Sequence, residues 1–455
     1  MKASGKVKSA LSSKALPMSS AFEAQFVSWF RSAAPYFHAF RGRTFVVAFG
    51  GELARDGKLT SLAHDLNLLH AAGIRLLLVH GARPQIEAQL KYRKARSRYS
   101  KGLRITDAVA LECVKQAVGV LRVEIEALLS QGLPSSPMAG AAIRTASGNF
   151  ITARPIGVVD GIDFQHTGSV RKVDATAITR LLELGNIVLL SPLGYSPTGE
   201  AFNLAMEDVA TSTAVALGAE KLIFLSDVPV SEKNLRVRRE LTAQEAEQLL
   251  SSSASLTDET RRYMHCAVRA SRLGVARVHL VSRQQDGALL LELFTHHGVG
   301  SMVTADKLER LRAATSDDLG GILQLLEPLE ADGTLVRRGR ELLEREIDRF
   351  FVIEHDRVIL GCAALYPFPA GRAAELACLA VHPDFRRHGY GEKLLQHMET
   401  QAHKRRLRRL FVLTTSAAHW FIERGFSASD VSSLPEPKRS LYNFRRRSKV
   451  FVKSV

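Results

Sequence analysis

The chain has 455 residues, 46% hydrophobic and 24% charged, enough apolar side chain to bury two or three cores and too much for a disordered protein. No apolar run is long enough to cross a bilayer, and Cys113, Cys266, Cys362 and Cys378 stand too far apart for a zinc or Cys-x-x-Cys motif, so a reducing cytoplasm is expected and no metal. The formal charge is +16, but its basic clusters, at 93–98, 404–409 and 438–449, are separate, with no interleaved aromatics and no DNA-binding motif; nucleic acid and membrane are not expected partners, and anionic small molecules are.

Residues 1–18 carry Lys2, Lys6, Lys8 and Lys14 and no acid; they read as a disordered N-terminal extension, with Met18 an alternative start. Residues 21–40 are expected to form a helix whose apolar stripe holds Phe22, Phe26, Trp29 and Phe30. A strand at 44–49, an amphipathic helix at 59–72 and a strand at 74–79 follow, the last opening into His80–Pro84. Helices fill 107–131, and the apolar runs 186–190, 222–226 and 277–282, flanked by Gly, Pro and Asp, read as buried parallel strands. This alternation predicts an α/β/α layer sandwich over 19–304. The charged stretch 304–312 reads as a helical link, with 305–312 joining the two domains. A second, α+β domain over 313–455 opens with a strand at 311–314 and a helix at 317–326 capped by Ser316, then strands at 350–354, 358–365 and 375–381.

The strongest constellation is ELACLAVHPDFRRHGYGEKLL at 375–395: an alternating strand, a loop holding Arg386, Arg387, Gly389 and Gly391, then a helix. Glycines let the backbone approach a ligand, consecutive amides and the helix N-terminus face an anion, and the two arginines add formal charge. Arg-x-x-Gly-x-Gly between a strand ending in Val-His-Pro and a helix resembles the pyrophosphate loop of the GCN5-related N-acetyltransferase superfamily. The Trp420–Phe426 stretch, WFIERGF, is similar to the later turn of the same superfamily. The resemblance implies acetyl-CoA as co-substrate. It also implies a splayed strand whose backbone at Cys378, Leu379 and Val381 holds the pantetheine arm and polarises the acetyl carbonyl. Acetyl transfer to an amine needs a base and a proton for the leaving thiolate. Glu375 at the head of the strand is the candidate base, and Thr414 on the next strand the candidate hydroxyl. The same residue types equally suit a strand-end acid and a β-favouring threonine.

Before the second domain, FVVAFGGEL at 45–53, LLLVHGARPQI at 76–86 and LIFLSDVPV at 222–230 resemble the amino acid kinase fold, with Gly50, Gly51 and Gly81 as phosphate-facing turns. Kinases of that family place a lysine two residues before the glycine pair; here the position is Ala48, and Ala82-Arg83 replace two further glycines. Phosphoryl transfer depends on such charge and close backbone approach, so this domain is expected to be silent as a kinase. A silent amino acid kinase domain ahead of an acetyltransferase domain resembles the N-acetylglutamate synthase family of amino-acid N-acetyltransferases. The stretches at 333–348, 362–368 and 434–450 agree. The family implies acetyl transfer to L-glutamate at the start of arginine synthesis, with Arg338, Arg446 and Ser448 on the glutamate carboxylates. It implies L-arginine as effector, at His279, Glu292, Gly298 and Gly300, and a homohexamer assembled through the first helix. Two rival readings are an acetylglutamate kinase with a regulatory acetyltransferase domain and a non-enzymatic arginine or CoA sensor.

Overall fold

The structure, a computed structural model, describes residues 20–227, 239–252, 256–295, 298–355, 358–386, 389–444 and 446–455. The 1–18 extension, part of the apolar run 222–230, and Arg387 lie outside them. The chain divides into two compact units, Met1–Asp306 and Lys307–Val455.

In the first unit the expected periodicities become α1 (Ser20–Phe40), β1 (Thr44–Phe49), α2 (Leu59–Ala71), β2 (Arg75–His80), α3 (Arg83–Tyr92), α4 (Ala108–Leu129), β3 (Thr145–Ala146), β4 (Ile187–Leu190), α5 (Met206–Ala216), β5 (Lys221–Ser226), β6 (Glu240–Thr242), α6 (Asp258–Arg272), β7 (Arg277–Ser282), α7 (Ala288–Phe294) and β8 (Ser301–Thr304). The strands form one sheet in the order β6-β8-β7-β5-β1-β2-β4-β3. All neighbours are parallel except β7 and β8. The central strands are mostly apolar because both their faces are covered, with polar residues at their ends and at His279. Phe45, Val47 and Phe49 join the core under α2 and α4, while Val46 and Ala48 join the opposite core under α5 and α6. The side chain of Asp107 caps α4, accepting from Ala110 N at 2.9 Å.

The second unit holds β9 (Glu309–Ala313), α8 (Leu319–Ala331), β10 (Phe350–His355), β11 (Val358–Phe368), β12 (Ala373–Val381), α9 (Tyr390–Lys404), β13 (Arg409–Thr414), α10 (Ala418–Ile422), β14 (Ser427–Ser429), α11 (Glu436–Arg439) and β15 (Lys449–Ser454). Its sheet runs β9-β10-β11-β12-β13-β15-β14. Every pair is antiparallel but β12–β13.

Two local expectations are corrected. The stretch 304–312 is not a helical link: residues 309–312 lie in β9, where Glu309–Ala313 pairs with Phe351–His355. Charge and helical spacing there are outweighed by a strand edge that the neighbouring sheet completes. Nor is Ser316 the cap. Thr315 forms a capping box with Asp318 around the turn Ser316–Asp318, and the α-helix starts at Leu319.

Candidate active site

Of the expected site residues of the second unit, Arg338, Glu375, Cys378, Arg446 and Ser448 meet where β12 and β13 part. The two strands are in register only over Ala373–Glu375 against Arg409–Phe411, while β13 runs on to Thr414. Past Glu375 the β12 edge facing β13 is left without a strand partner among the described residues. On its other edge, β12 bulges: Cys362 pairs with Ala380 but Ala364 with Ala377, leaving Cys378 and Leu379 opposite a single residue. Cys378 takes a left-handed φ of 52° to make the bulge. The extra residue inverts the pleat. Leu376 faces the same core as Leu379 and Val381, while Cys378 and Ala380 face the other. A strand that changes face in this way exposes backbone groups that regular pairing would consume.

Beside this gap lies a cavity of about 100 Å³. Leu376, Ala377 and Cys378 line it from β12 and Leu413 from β13, with Glu375, Arg338, Lys438, Tyr442, Arg446 and Ser448 around them. Glu375 is buried and its Oε2 lies 2.7 Å from Lys438 Nζ. Arg338 donates from Nη1 to Cys378 Sγ at 2.9 Å. Arg446 donates from Nη2 to Thr334 O at 2.5 Å, and its buried Nε has no hydrogen-bond partner among the described residues. Burial, and the like charge of Arg338, push the Arg446 guanidinium below its ordinary value. Three cations face one carboxylate, a formal balance of 3 − 1 = +2 on the charged lining residues. An anion bearing two negative charges would neutralise that balance and occupy the orphaned donor.

Thr414 is buried but does not line this cavity. Its hydroxyl accepts from Ala417 N at 2.9 Å, capping the turn into α10, and its own proton remains available to donate. Gly389 enters α9 in the left-handed region at φ 83°. Gly391 sits one turn position on, where an added Cβ would lie 3.2 Å from the Trp420 ring. That ring carries Arg424 on its face at 4.1 Å, and Arg424 holds Glu392 at 2.5 Å. The helix start and the WFIERGF turn are therefore one packed unit. Arg386 is exposed at the loop's edge.

In the first unit, Gly50, Gly51 and Gly81 line a cavity of about 320 Å³, as a nucleotide-binding ancestry would have them. Three of its arginines are turned on carboxylates of the same cavity. Arg83 and Arg262 meet Glu207 at 3.0 and 3.3 Å, and Arg283 donates to Asp227 at 2.6 Å. No lysine stands among the described lining residues, and Ala48 is fully buried in β1.

The residues expected to bind an effector meet elsewhere in that unit. His279 on β7 touches Glu292 on α7 through Nδ1 at 2.7 Å and Lys221 through Nε2 at 3.2 Å. An ammonium can only donate, so Nε2 accepts and Nδ1 carries the proton given to Glu292. Burial, helped by Lys221, lowers the His279 pKa and keeps the ring neutral. Burial works against the Glu292 charge, but the His279 hydrogen bond and the amides of Gly300 and Val299, each 2.7 Å from Oε2, outweigh it and hold the carboxyl below its usual range. Glu292 is thus no exposed helix acid. Its side chain is 5% exposed and anchors the 298–300 turn, where Gly298 has φ 55°.

Sequence reasoning missed Lys438 and Tyr442 as cavity residues. Both lie in the C-terminal stretch, and no spacing ties them to Glu375. Among the described residues no group of His, Cys, Asp or Glu is placed to hold a metal, and no helix is long and apolar enough to cross a membrane.

Fold and site together define a class: an acyl-CoA-dependent acetyltransferase unit carried behind an amino-acid-kinase fold. The model of the Amino acid kinase family matches residues 43–282, and that of the Acetyltransferase (GNAT) family matches residues 321–426. An amino-acid acetyltransferase of Ralstonia nicotianae is 55% identical over 432 residues, covering 95% of this chain and 96% of its own. One of Pseudomonas fluorescens is 51% identical over 432 residues, covering 95% and 100%. The crystal structure of N-acetylglutamate synthase from Neisseria gonorrhoeae, complexed with coenzyme A and L-arginine, superposes with a TM-score of 0.86 at 41% identity, covering 94% of this chain and 99% of that one. This chain belongs to the amino-acid acetyltransferase family.

Proposed function

We propose that the chain transfers the acetyl group of acetyl-CoA to the α-amino group of L-glutamate, giving N-acetyl-L-glutamate and CoA, and that L-arginine regulates it through the first unit. The observation that carries the substrate is the +2 balance of the acceptor cavity. Glutamate with a neutral amine brings two carboxylates, and Arg338, Arg446 and Ser448 offer the forks and hydroxyl to receive them.

Glu375 takes the proton that the α-ammonium must lose. The amine then attacks the thioester carbonyl, the tetrahedral adduct collapses, and the C–S bond breaks with its electron pair on sulfur. The thiolate takes a proton from Thr414 or from water. The unpaired edge of β12 at Cys378, Leu379 and Val381 receives the pantetheine amides and polarises the carbonyl. Arg386, Arg387 and the amides from Gly389 to Gly391 hold the pyrophosphate. Direct transfer suits a cavity whose one thiol is buried and raised.

The Neisseria relative was crystallised with coenzyme A and L-arginine, and a second structure of it with coenzyme A and N-acetyl-glutamate, which supports the same ligands here. The first unit, over 19–304, serves as the arginine sensor through His279, Glu292, Gly298 and Gly300. The exposed Phe26, Trp29 and Phe30 of α1 suit an interface between copies, in line with a hexamer. The cytoplasm, where acetyl-CoA is made and thiols stay reduced, is the setting. The experiment is CoA release from acetyl-CoA with glutamate against aspartate, glutamine, ornithine and glycine. Glutamate should lead by at least tenfold in kcat/KM, and equal rates across the panel would overturn the reading.

A further inference from the structure

Glu375 is not alone at the wall of the acceptor cavity. Lys438, on the single turn α11, puts Nζ 2.7 Å from Glu375 Oε2, with side-chain exposures of 21% and 8%. The oxygen that would take a proton from the acceptor is already engaged by an ammonium. The two guanidiniums of the cavity have fixed partners, Arg338 on Cys378 Sγ and Arg446 on Thr334 O. Among the described residues, Lys438 alone of the three is bound only to Glu375, the proposed base.

We propose that Lys438 exchanges partners on substrate binding: it leaves Glu375 for a carboxylate of the incoming acceptor and so frees the base. The inference rests on the reading of a dicarboxylate acceptor. An ammonium on a flexible stem swings between two carboxylates at little cost, which a planar fork does less readily. Charge bookkeeping agrees. While Lys438 and Glu375 are paired, the remaining lining charge belongs to Arg338 and Arg446, enough for two carboxylates but with no base released. Binding that also recruits Lys438 spends part of its energy on opening the pair, so substrate recognition appears in turnover and not only in affinity. An acceptor lacking the second carboxylate leaves the pair closed.

The experiment uses the full chain and compares glutamate with glutamine as acceptor in the wild type, Lys438→Met, Lys438→Gln and Lys438→Arg. In the wild type, glutamine should lose at least tenfold in kcat, beyond any rise in KM. In the two neutral variants Glu375 has no ammonium to shed. The kcat ratio of glutamate to glutamine should then fall toward one, the glutamate KM should rise roughly tenfold, and the acetyl-CoA KM should stay within about twofold. Lys438→Arg keeps the charge and should retain most of the wild-type ratio, which separates loss of charge from loss of fold. A neutral variant that turns over glutamate with the wild-type kcat ratio overturns this inference alone. Absence of CoA release by the wild type with every amino acid overturns it together with the proposed function.

Discussion

Arg338 donates to the sulfur of Cys378 across 2.9 Å, tying the acceptor side of the cavity to the bulge in β12. Burial pushes the Cys378 thiol up to about 11, against the lowering effect of Arg338. At pH 7–8 such a thiol is thiolate in roughly one molecule in 10³ or fewer, far too little for a covalent carrier. Incubation with acetyl-CoA alone should leave no acetyl group on Cys378 by mass spectrometry. Initial-rate lines for the two substrates should intersect; parallel lines would point to an acetyl-enzyme.

Glu375 gives the second prediction. Glu375→Gln should keep the shape of the strand end while removing the base, lowering kcat by roughly 10²–10⁴. Acetyl-CoA affinity, measured by calorimetry, should change little because the pyrophosphate loop is untouched. Turnover close to wild type across pH 7–9 would remove Glu375 from the mechanism.

The proposed arginine site makes a third. Glu292 already has both oxygens engaged, by His279 Nδ1 and by the amides of Val299 and Gly300. An arginine guanidinium must share or displace these partners, so its affinity depends on the full carboxylate charge. Glu292→Gln should weaken arginine binding at least tenfold, about 1.4 kcal/mol, in calorimetric titrations. Uninhibited turnover should stay near normal. Unchanged affinity in the variant would place the effector elsewhere.

The capping box of the second unit titrates in acid. Hydrogen bonds from Arg312 first, with Thr315, against the cost of burial, bring Asp318 down to about 2. Arg312 grips it at 2.7 and 2.8 Å. The folded pKa is depressed, so the stabilisation is complete above the unfolded value near 4 and is lost as pH falls from there through 2. With Arg312 half-exposed, screening leaves on the order of 1–2 kcal/mol. Asp318→Asn should cost about that much at pH 7 in denaturant titration of the second unit's transition, about a third as much at pH 2.5, and almost nothing at pH 1.

Phosphoryl transfer is the fifth test. Ala48 offers no charge to a transferring phosphate, and Arg83 and Arg262 are engaged by Glu207 and Arg283 by Asp227. ATP and N-acetylglutamate should yield no acylphosphate, trapped as hydroxamate, above background.

Sequence by itself determined what depends on near neighbours. Strand segments that are apolar on every residue, such as 222–225, announce a sheet covered on both faces, and glycines between a strand and a helix announce an anion site. The loss of lysine at Ala48 is equally local. Where local signals competed, the reading slipped. Thr315 and Ser316 are both good caps, and which one serves depended on Asp318 reaching back to the Thr315 amide. Residues 309–312 of the charged stretch became strand because β10 was there to pair with them. Only the tertiary structure decided which distant groups share a cavity. Lys438 meets Glu375 because β12 parts from β13 and the C-terminal segment closes over the gap. Glu292 is buried because the 298–300 turn folds onto it, and the Thr414 hydroxyl oxygen accepts a hydrogen bond because α10 starts beside it. Hydrogen-bond partners and desolvation are set by chain segments far apart in sequence, and those two quantities decide what a carboxylate, an ammonium or a thiol can do.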